Sequence, residues 1–195
     1  MKRLFDVGCC VVGLIVLAPI LLLIALLIRM DSKGPIVYLQ ERIGLNGRPF
    51  FIFKFRTMVI DADKKGLLTV GGKDPRVTRI GYYLRRYKLD ELPQLFNVVR
   101  GDMSLVGPRP EVKKYVDLYS ASQKEVLTVK PGITDYASIV FVDENDILAR
   151  STDPEQAYIQ EIMPAKLALN RKYIAEKGLL TDLRIILKTL LRIIR

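Results

Sequence analysis

Asp90 and Glu91 stand side by side in the stretch KLDELPQ (residues 88–94). Cations flank them in the chain: Arg76, Arg79, Arg85 and Arg86 before, Arg100 and Arg109 after. Adjacent carboxylates supply an ionised oxygen that can attack an electrophile, and hard oxygen ligands for a divalent cation. Neighbouring guanidinium groups suit an anionic substrate, phosphate above all. The plainer alternative is a helix surface whose acids offset a basic run, with Asp90 as a helix cap worth about 1 kcal/mol. Capping accounts for one aspartate but leaves Glu91 and the arginines without a purpose.

The rest of the composition narrows the chemistry. Histidine is absent, so no Ser-His or Cys-His nucleophile exists and zinc lacks its commonest nitrogen ligand. Cys9 and Cys10 are adjacent inside an apolar run, which reads as core packing and not as a metal site or disulfide framework. Acid–base or metal work therefore falls to Asp and Glu, whose oxygens favour Mg²⁺ or Mn²⁺.

Those residues need a scaffold, and 195 residues ordinarily make one domain with a real core. A net charge of +10 points to phosphate-bearing partners, while 50% hydrophobic content argues against a disordered nucleic-acid tail. Contact with a membrane fits both. From Val11 to Ile28 no residue is charged, long enough to span a bilayer. Lys2 and Arg3 precede this run and Arg29 and Lys33 follow it, so the positive-inside rule gives no orientation. Ala18 and Pro19 mark a break at its middle. Two arrangements follow: a kinked bitopic helix, or a re-entrant helix–break–helix with both basic ends on one side. At the other terminus Arg184, Lys188, Arg192 and Arg195 share a helix face, and Leu183, Ile186, Leu187, Leu190 and Ile194 fill much of the remainder. That is the pattern of an interfacial amphipathic helix; a helix capping the soluble core is the alternative. The division is 1–34 membrane anchor, 35–178 catalytic domain and 179–195 interfacial helix.

The middle reads as a mixed, helix-rich α/β globule. PIVYLQERIG and FFIFKFRTM are strands about the turn LNGRP, and alternation places Lys54 and Arg56 on one face, as substrate contacts or merely solvated. KKGLLTVGGKDPRVT is a surface loop. VTRIGYYLRRYKL is a helix with Ile80, Tyr83, Leu84 and Tyr87 on one stripe, and a second helix ends near Gly101. Pro93 is tolerated only in a first turn, so Asp90 and Glu91 belong at or just before that helix start. GPRP fixes Arg109 in a rigid extended segment, ready to fork onto a phosphate. KPGIT is a turn leading to a strand-like ASIVFV, and residues 155–175 form a further helix with Tyr158, Ile162 and Tyr173 among its apolar positions.

Taken in order, the apolar segment with its proline, KFRTM, LDELPQLFNVVRGDMSLVGPRP, KPGIT and DLRII closely resemble the bacterial sugar transferase family, the small monotopic phosphoglycosyl transferases. The resemblance covers almost the whole chain. It implies transfer of a phospho-sugar from a UDP-sugar to polyprenol (undecaprenyl) phosphate with release of UMP, at the cytoplasmic face of the bacterial inner membrane. It further implies that the N-terminal segment is re-entrant and that Asp90 is the covalent nucleophile. Asp90 and Glu91 would serve a Mg²⁺-dependent site, and Lys54, Arg85 and Arg109 would contact phosphate and nucleotide. The chain departs from the family pattern at Ala18 (commonly Ser), at DYAS after KPGIT (commonly Gly-Trp-Ala) and at Asn170 (commonly Asp), and this loosens any inference about the sugar. Rival readings are direct sugar transfer releasing UDP, and a non-catalytic scaffold on anionic lipids. A nucleic-acid module ranks below both, having no reading helix or base-stacking surface. The sugar, the glycan pathway and the oligomeric state, a homodimer included, stay open.

Overall fold

The computed structural model describes residues 1–62 and 74–194. Residues 64–73 of the expected surface loop, and Arg195, lie outside the described residues. The longest element is helix α1 (Lys2–Asp31), which runs without interruption through Ala18 and Pro19. The expected helix–break–helix is therefore one continuous helix here. Pro19 lies on its exposed side, where the lost backbone hydrogen bond disturbs no packing.

One face of α1 buries Asp6, Cys10, Ile24 and Ile28 against the rest of the protein. The opposite face leaves Val12, Ile15, Val16, Leu22, Leu23, Leu26 and Met30 exposed. Both ends are tied down. Lys2 pairs with Asp182 and donates to the Val106 carbonyl (3.2 Å), and Arg3 donates to the carbonyls of Val98 and Val99. The buried Asp6 carboxylate accepts from the Ser104 hydroxyl at 2.6 Å. About 38 Å away along the helix axis, Asp31 accepts from the Ile80 N–H at 3.0 Å. Arg56 closes the same end, donating to the carbonyls of Ser32 (2.7 Å) and Lys33 (2.8 Å). The basic residues read from sequence as flanks of a span thus include two, Lys2 and Arg3, that bind the globule.

That globule begins with the hairpin β1 (Val37–Ile43) and β2 (Pro49–Phe55), antiparallel from Val37↔Phe55 to Ile43↔Pro49. Its turn uses Asn46 (φ 56°) and Gly47 (φ 74°), the left-handed residues that LNGRP supplies. Helix α2 (Arg79–Arg86) starts where the Thr78 hydroxyl accepts from the Gly81 N–H. Leu84 and Gly81 are its buried residues, whereas Tyr82, Tyr83 and Tyr87 are exposed. Of the expected stripe Ile80, Tyr83, Leu84 and Tyr87, Leu84 and Ile80 pack against the core whereas the two tyrosines do not. A 3₁₀ turn (Leu89–Glu91) leads to α3 (Gln94–Arg100), which ends at Gly101 with φ 102° as expected.

Two short strands, β3 (Ser104–Val106) and β4 (Gly132–Thr134), pair in parallel through Ser104↔Gly132 and Val106↔Thr134. Between them lie α4 (Lys113–Val116) and a 3₁₀ turn (Gln123–Thr128). ASIVFV is not a strand. Tyr136–Val140 form helix α5, because Asp135 caps it by accepting from the Ser138 N–H at 2.6 Å. Helices α6 (Glu144–Ala149), α7 (Pro154–Ala157) and α8 (Met163–Glu176) follow, with a wider π turn at Tyr158–Ile162. Tyr158, Ile162 and Tyr173 are buried as expected.

Helix α9 (Leu179–Ile194) shows three faces. Asp182 and Ile185 are buried, Leu183, Leu187, Leu190 and Leu191 are exposed, and Arg184, Lys188 and Arg192 form a charged exposed flank. Core capping and an amphipathic outer surface therefore coexist on one helix. The described residues are mixed and helix-rich, with two small sheets among them.

Candidate active site

The dyad is placed by an unusual local bend. Lys88 adopts the left-handed conformation (φ 56°, ψ 20°), so the chain leaving α2 turns sharply into Leu89–Glu91. Pro93 occupies the cap position of α3, and no side chain caps that helix. Asp90 is therefore not a helix cap. It lines a cavity of about 480 Å³ together with Glu91, Lys54, Arg85, Lys88 and Arg109. Five residues singled out from sequence thus meet at one site. Arg56 does not join them: it is buried at the C-terminal end of α1, outside the cavity lining. It follows the last residue of β2, where strand alternation no longer governs direction.

The two carboxylates differ sharply. Glu91 is clamped: Arg109 forks onto both its oxygens, Nη1 to Oε2 at 3.1 Å and Nη2 to Oε1, and Lys54 Nζ lies 3.1 Å from Oε1. Burial alone would raise its pKa, but Arg109 and Lys54 hold it well below the ordinary glutamate value. Asp90 Oδ1 is buried with no hydrogen-bond partner among the described residues. Burial, then repulsion from Glu91, push the Asp90 carboxyl up to about 6, against the pull of Lys54, Arg85 and Lys88. One acid is a fixed counter-charge; the other has an oxygen buried at the cavity wall with no hydrogen-bond partner among the described residues.

Arg109 owes its position to a backbone crossing. Gly132 N donates to the Pro108 carbonyl at 3.0 Å and Gly107 N to the Thr134 carbonyl at 3.0 Å. A Cβ on Gly132 would come within 2.1 Å of Gly107 N, so the glycine of KPGIT is required by this contact. Asp135, fully buried, adds a second tie: its Oδ2 accepts from Arg109 N at 3.3 Å while Oδ1 caps α5. Sequence reasoning missed Asp135, although an Asp three residues before Ser138 is a capping signal.

It also missed Lys88 and a second charged cluster on the cavity wall. Arg42 Nη1 lies 2.8 Å from Glu111 Oε1, and Tyr158 donates its hydroxyl to Glu111 Oε2. Lys166 pairs with Glu144 at 2.8 Å. Burial would raise the Glu111 carboxyl, but Arg42 and Lys166 keep it lowered. These residues are scattered along the chain, and no local spacing reveals them. Among the described residues no group of three or more carboxylate, thiol or imidazole side chains converges as a metal cage.

Comparison with known proteins places the chain. The undecaprenyl-phosphate glucose phosphotransferase of Komagataeibacter xylinus is 40% identical over 198 residues, covering 98% of this chain and 35% of its own length. The UDP-glucose:undecaprenyl-phosphate glucose-1-phosphate transferase of Caulobacter vibrioides is 40% identical over 191 residues, covering 96% of this chain and 67% of its own. The UDP-N-acetylgalactosamine-undecaprenyl-phosphate N-acetylgalactosaminephosphotransferase of Aeromonas hydrophila is 40% identical over 142 residues, 71% of this chain and 34% of its own length. The chain thus spans about a third of the Komagataeibacter and Aeromonas proteins and two thirds of the Caulobacter one. The bacterial sugar transferase model matches residues 1–195, and with it the expectation of a transferase is borne out: the chain belongs to the bacterial sugar transferase family.

Proposed function

We propose that this protein transfers a sugar 1-phosphate from a UDP-sugar to undecaprenyl phosphate, releasing UMP, through a phospho-sugar ester on Asp90. The relatives' names supply the acceptor and the class of transfer. The observation that carries the mechanism is the contrast within the dyad: Asp90 has an unpartnered oxygen in a cationic cavity, while Glu91 is spoken for.

In the first step the Asp90 oxygen forms a bond to the β-phosphorus, and the bond from that phosphorus to the bridging oxygen breaks. UMP leaves with the electron pair. In the second step a phosphate oxygen of the lipid attacks the same phosphorus, and the Asp90 carboxylate departs. No proton need move in either step, which suits a site without histidine. Arg109, Lys54, Arg85 and Lys88 offset the charge that accumulates on the phosphoryl oxygens. A carboxylate with its pKa near 6 is ionised at neutral pH yet poorly solvated, two conditions that favour attack.

Mg²⁺ fits this site in a restricted way. The ion usually takes one or two carboxylates and draws its remaining ligands from water and substrate phosphates. Asp90 provides a free oxygen for it; Glu91 would serve only on releasing Arg109 or Lys54. Bound there with the diphosphate, the ion would supply charge neutralisation of the leaving phosphate.

The protein would work at the cytoplasmic face of the inner membrane as a monotopic enzyme. Supporting this, the Lys2 and Asp31 ends of α1 both bind the same globule, and the outward faces of α1 and α9 are apolar. Incubation with UDP-sugar but no lipid should release UMP and add a phospho-sugar mass to the Asp90 peptide. Release of UDP in place of UMP, or full turnover by Asp90→Asn, would overturn the mechanism.

A further inference from the structure

Besides its charged clusters, the cavity wall carries two neutral polar groups without partners. Asn170, on α8, is only 4% exposed and lines the cavity, yet its Oδ1 has no hydrogen-bond partner among the described residues. Ser138, on α5, lines the same cavity, and its buried Oγ is likewise without a partner. Buried polar atoms are nearly always paired in folded proteins, because leaving one unpaired costs about 1–3 kcal/mol. Two on adjoining walls of one cavity mark a place where a bound molecule supplies the missing partners.

We propose that Asn170 and Ser138 form the subsite that reads the hydroxyl or amide groups of the transferred sugar. The inference rests on the phosphoglycosyl-transfer reading above. Position favours the sugar over the uracil. Asp135 holds both the Arg109 backbone N–H and the Ser138 N–H, so Ser138 is tied to the residue whose guanidinium sits on the dyad. With Asp90 attacking the β-phosphorus, the group attached to that phosphorus is the sugar. Shape agrees as well. A uracil presents its donor and acceptors along one flat edge, whereas the unpartnered atoms here come from two different helices. Sugar hydroxyls point in several directions, and each both donates and accepts. The relatives are named for different sugars, glucose in two and N-acetylgalactosamine in one, so a separate reading element has something to distinguish.

The test uses the full chain in detergent or nanodiscs, with UDP-glucose, UDP-galactose, UDP-N-acetylglucosamine, UDP-N-acetylgalactosamine and UDP as probes. Affinity is measured by calorimetry, and UMP release is measured separately. The wild type should bind one UDP-sugar more tightly than UDP. Asn170→Ala and Ser138→Ala should each weaken that UDP-sugar by about three- to tenfold, the size of one neutral hydrogen bond, and leave UDP unchanged. Ser138→Ala removes only an unpartnered hydroxyl, so it tests the subsite without threatening the fold. Equal weakening of UDP and UDP-sugar would place the residues on the nucleotide and overturn the assignment. Unchanged affinities, or no UDP-sugar tighter than UDP in the wild type, would overturn it too. Failure of the transfer reading is distinct: selective binding would persist with no UMP formed from any donor.

Discussion

Replacing Asp90 by Asn should destroy activity and, at neutral pH, make the protein more stable. The folded protein holds this carboxyl near 6 against an ordinary aspartate value of 3.8. A gap of that size corresponds to about 3 kcal/mol of destabilisation once the group is ionised in both folded and unfolded chains. The amide escapes the charge burial but brings an N–H₂ that lacks a partner, which costs about 1–2 kcal/mol. The net gain is about 1–2 kcal/mol, or roughly 2–8 °C in Tm for a chain of this size. The pH dependence is the sharper signature. Because the folded pKa is raised, the unfolded carboxyl loses its proton first as pH increases, and wild-type stability falls between about pH 4 and 6. Below about pH 4 the aspartate is neutral in both states and the Asn variant should be the less stable of the two. The stability curves therefore cross. Glu91 is held well below its ordinary value in the folded state, so its own pH-dependent contribution is common to both proteins and drops out of the difference. Thermal or chemical unfolding of both proteins in EDTA, from pH 4 to 7.5, measures the crossing directly. UMP release by the wild type should rise through about pH 6 over the same range. A stability difference that stays flat with pH, or a wild type more stable at neutral pH, would refute this account of Asp90.

Glu91→Gln should have the opposite effect on stability. It leaves Arg109 and Lys54 without their shared counter-charge, and unfolding measurements should show a loss of about 1–3 kcal/mol, since Arg109 is partly exposed. Arg56→Lys should lower Tm by a few degrees while leaving KM for the donor unchanged, because a lysine cannot span the carbonyls of Ser32 and Lys33 at once. Asp135→Ala should raise KM for the UDP-sugar severalfold by loosening the Arg109 segment, and its circular dichroism should stay native. Cysteine probes before Lys2 and after Lys33 should both label from the cytoplasm only; labelling of the first from outside would establish a bitopic helix.

Local signals explain what was legible in the chain. The hairpin turn at Asn46–Gly47, the helix stop at Gly101 and the placement of Asp90 ahead of Pro93 each depend on residues within a few positions of one another. The site cations were legible for a different reason: Lys54, Arg85 and Arg109 belong to ordered motifs of the family. Readings failed where one local preference met a competing contact. ASIVFV has the β-branched character of a strand, yet the Asp135 cap and packing on α8 make it a helix. Arg56 continues the alternation of β2 on paper, but the chain leaves the strand one residue earlier and the open carbonyls at the end of α1 take the guanidinium. Glu111 meets Arg42 and Lys166 only through tertiary packing, so no local spacing could disclose that cluster.

The dyad itself shows why adjacency in sequence says little about role. In a 3₁₀ turn, successive side chains project about a third of a revolution apart, so Asp90 and Glu91 meet different surroundings from neighbouring positions. Glu91 meets Arg109 and Lys54 and becomes a counter-ion that holds both cations at the cavity. Asp90 is buried at the cavity wall with one oxygen unpartnered, beside Glu91 and within reach of the charges of Lys54, Arg85 and Lys88. On the transfer mechanism proposed above, Arg109 held by Glu91 would be a diphosphate clamp assembled before the substrate arrives, and substrate phosphate would compete with Glu91 for the same guanidinium. With Arg109 turned toward phosphate, Glu91 would be left less neutralised and its repulsion of the Asp90 carboxylate would grow, so the carboxylate would become a stronger nucleophile only once a phosphate had arrived to receive it.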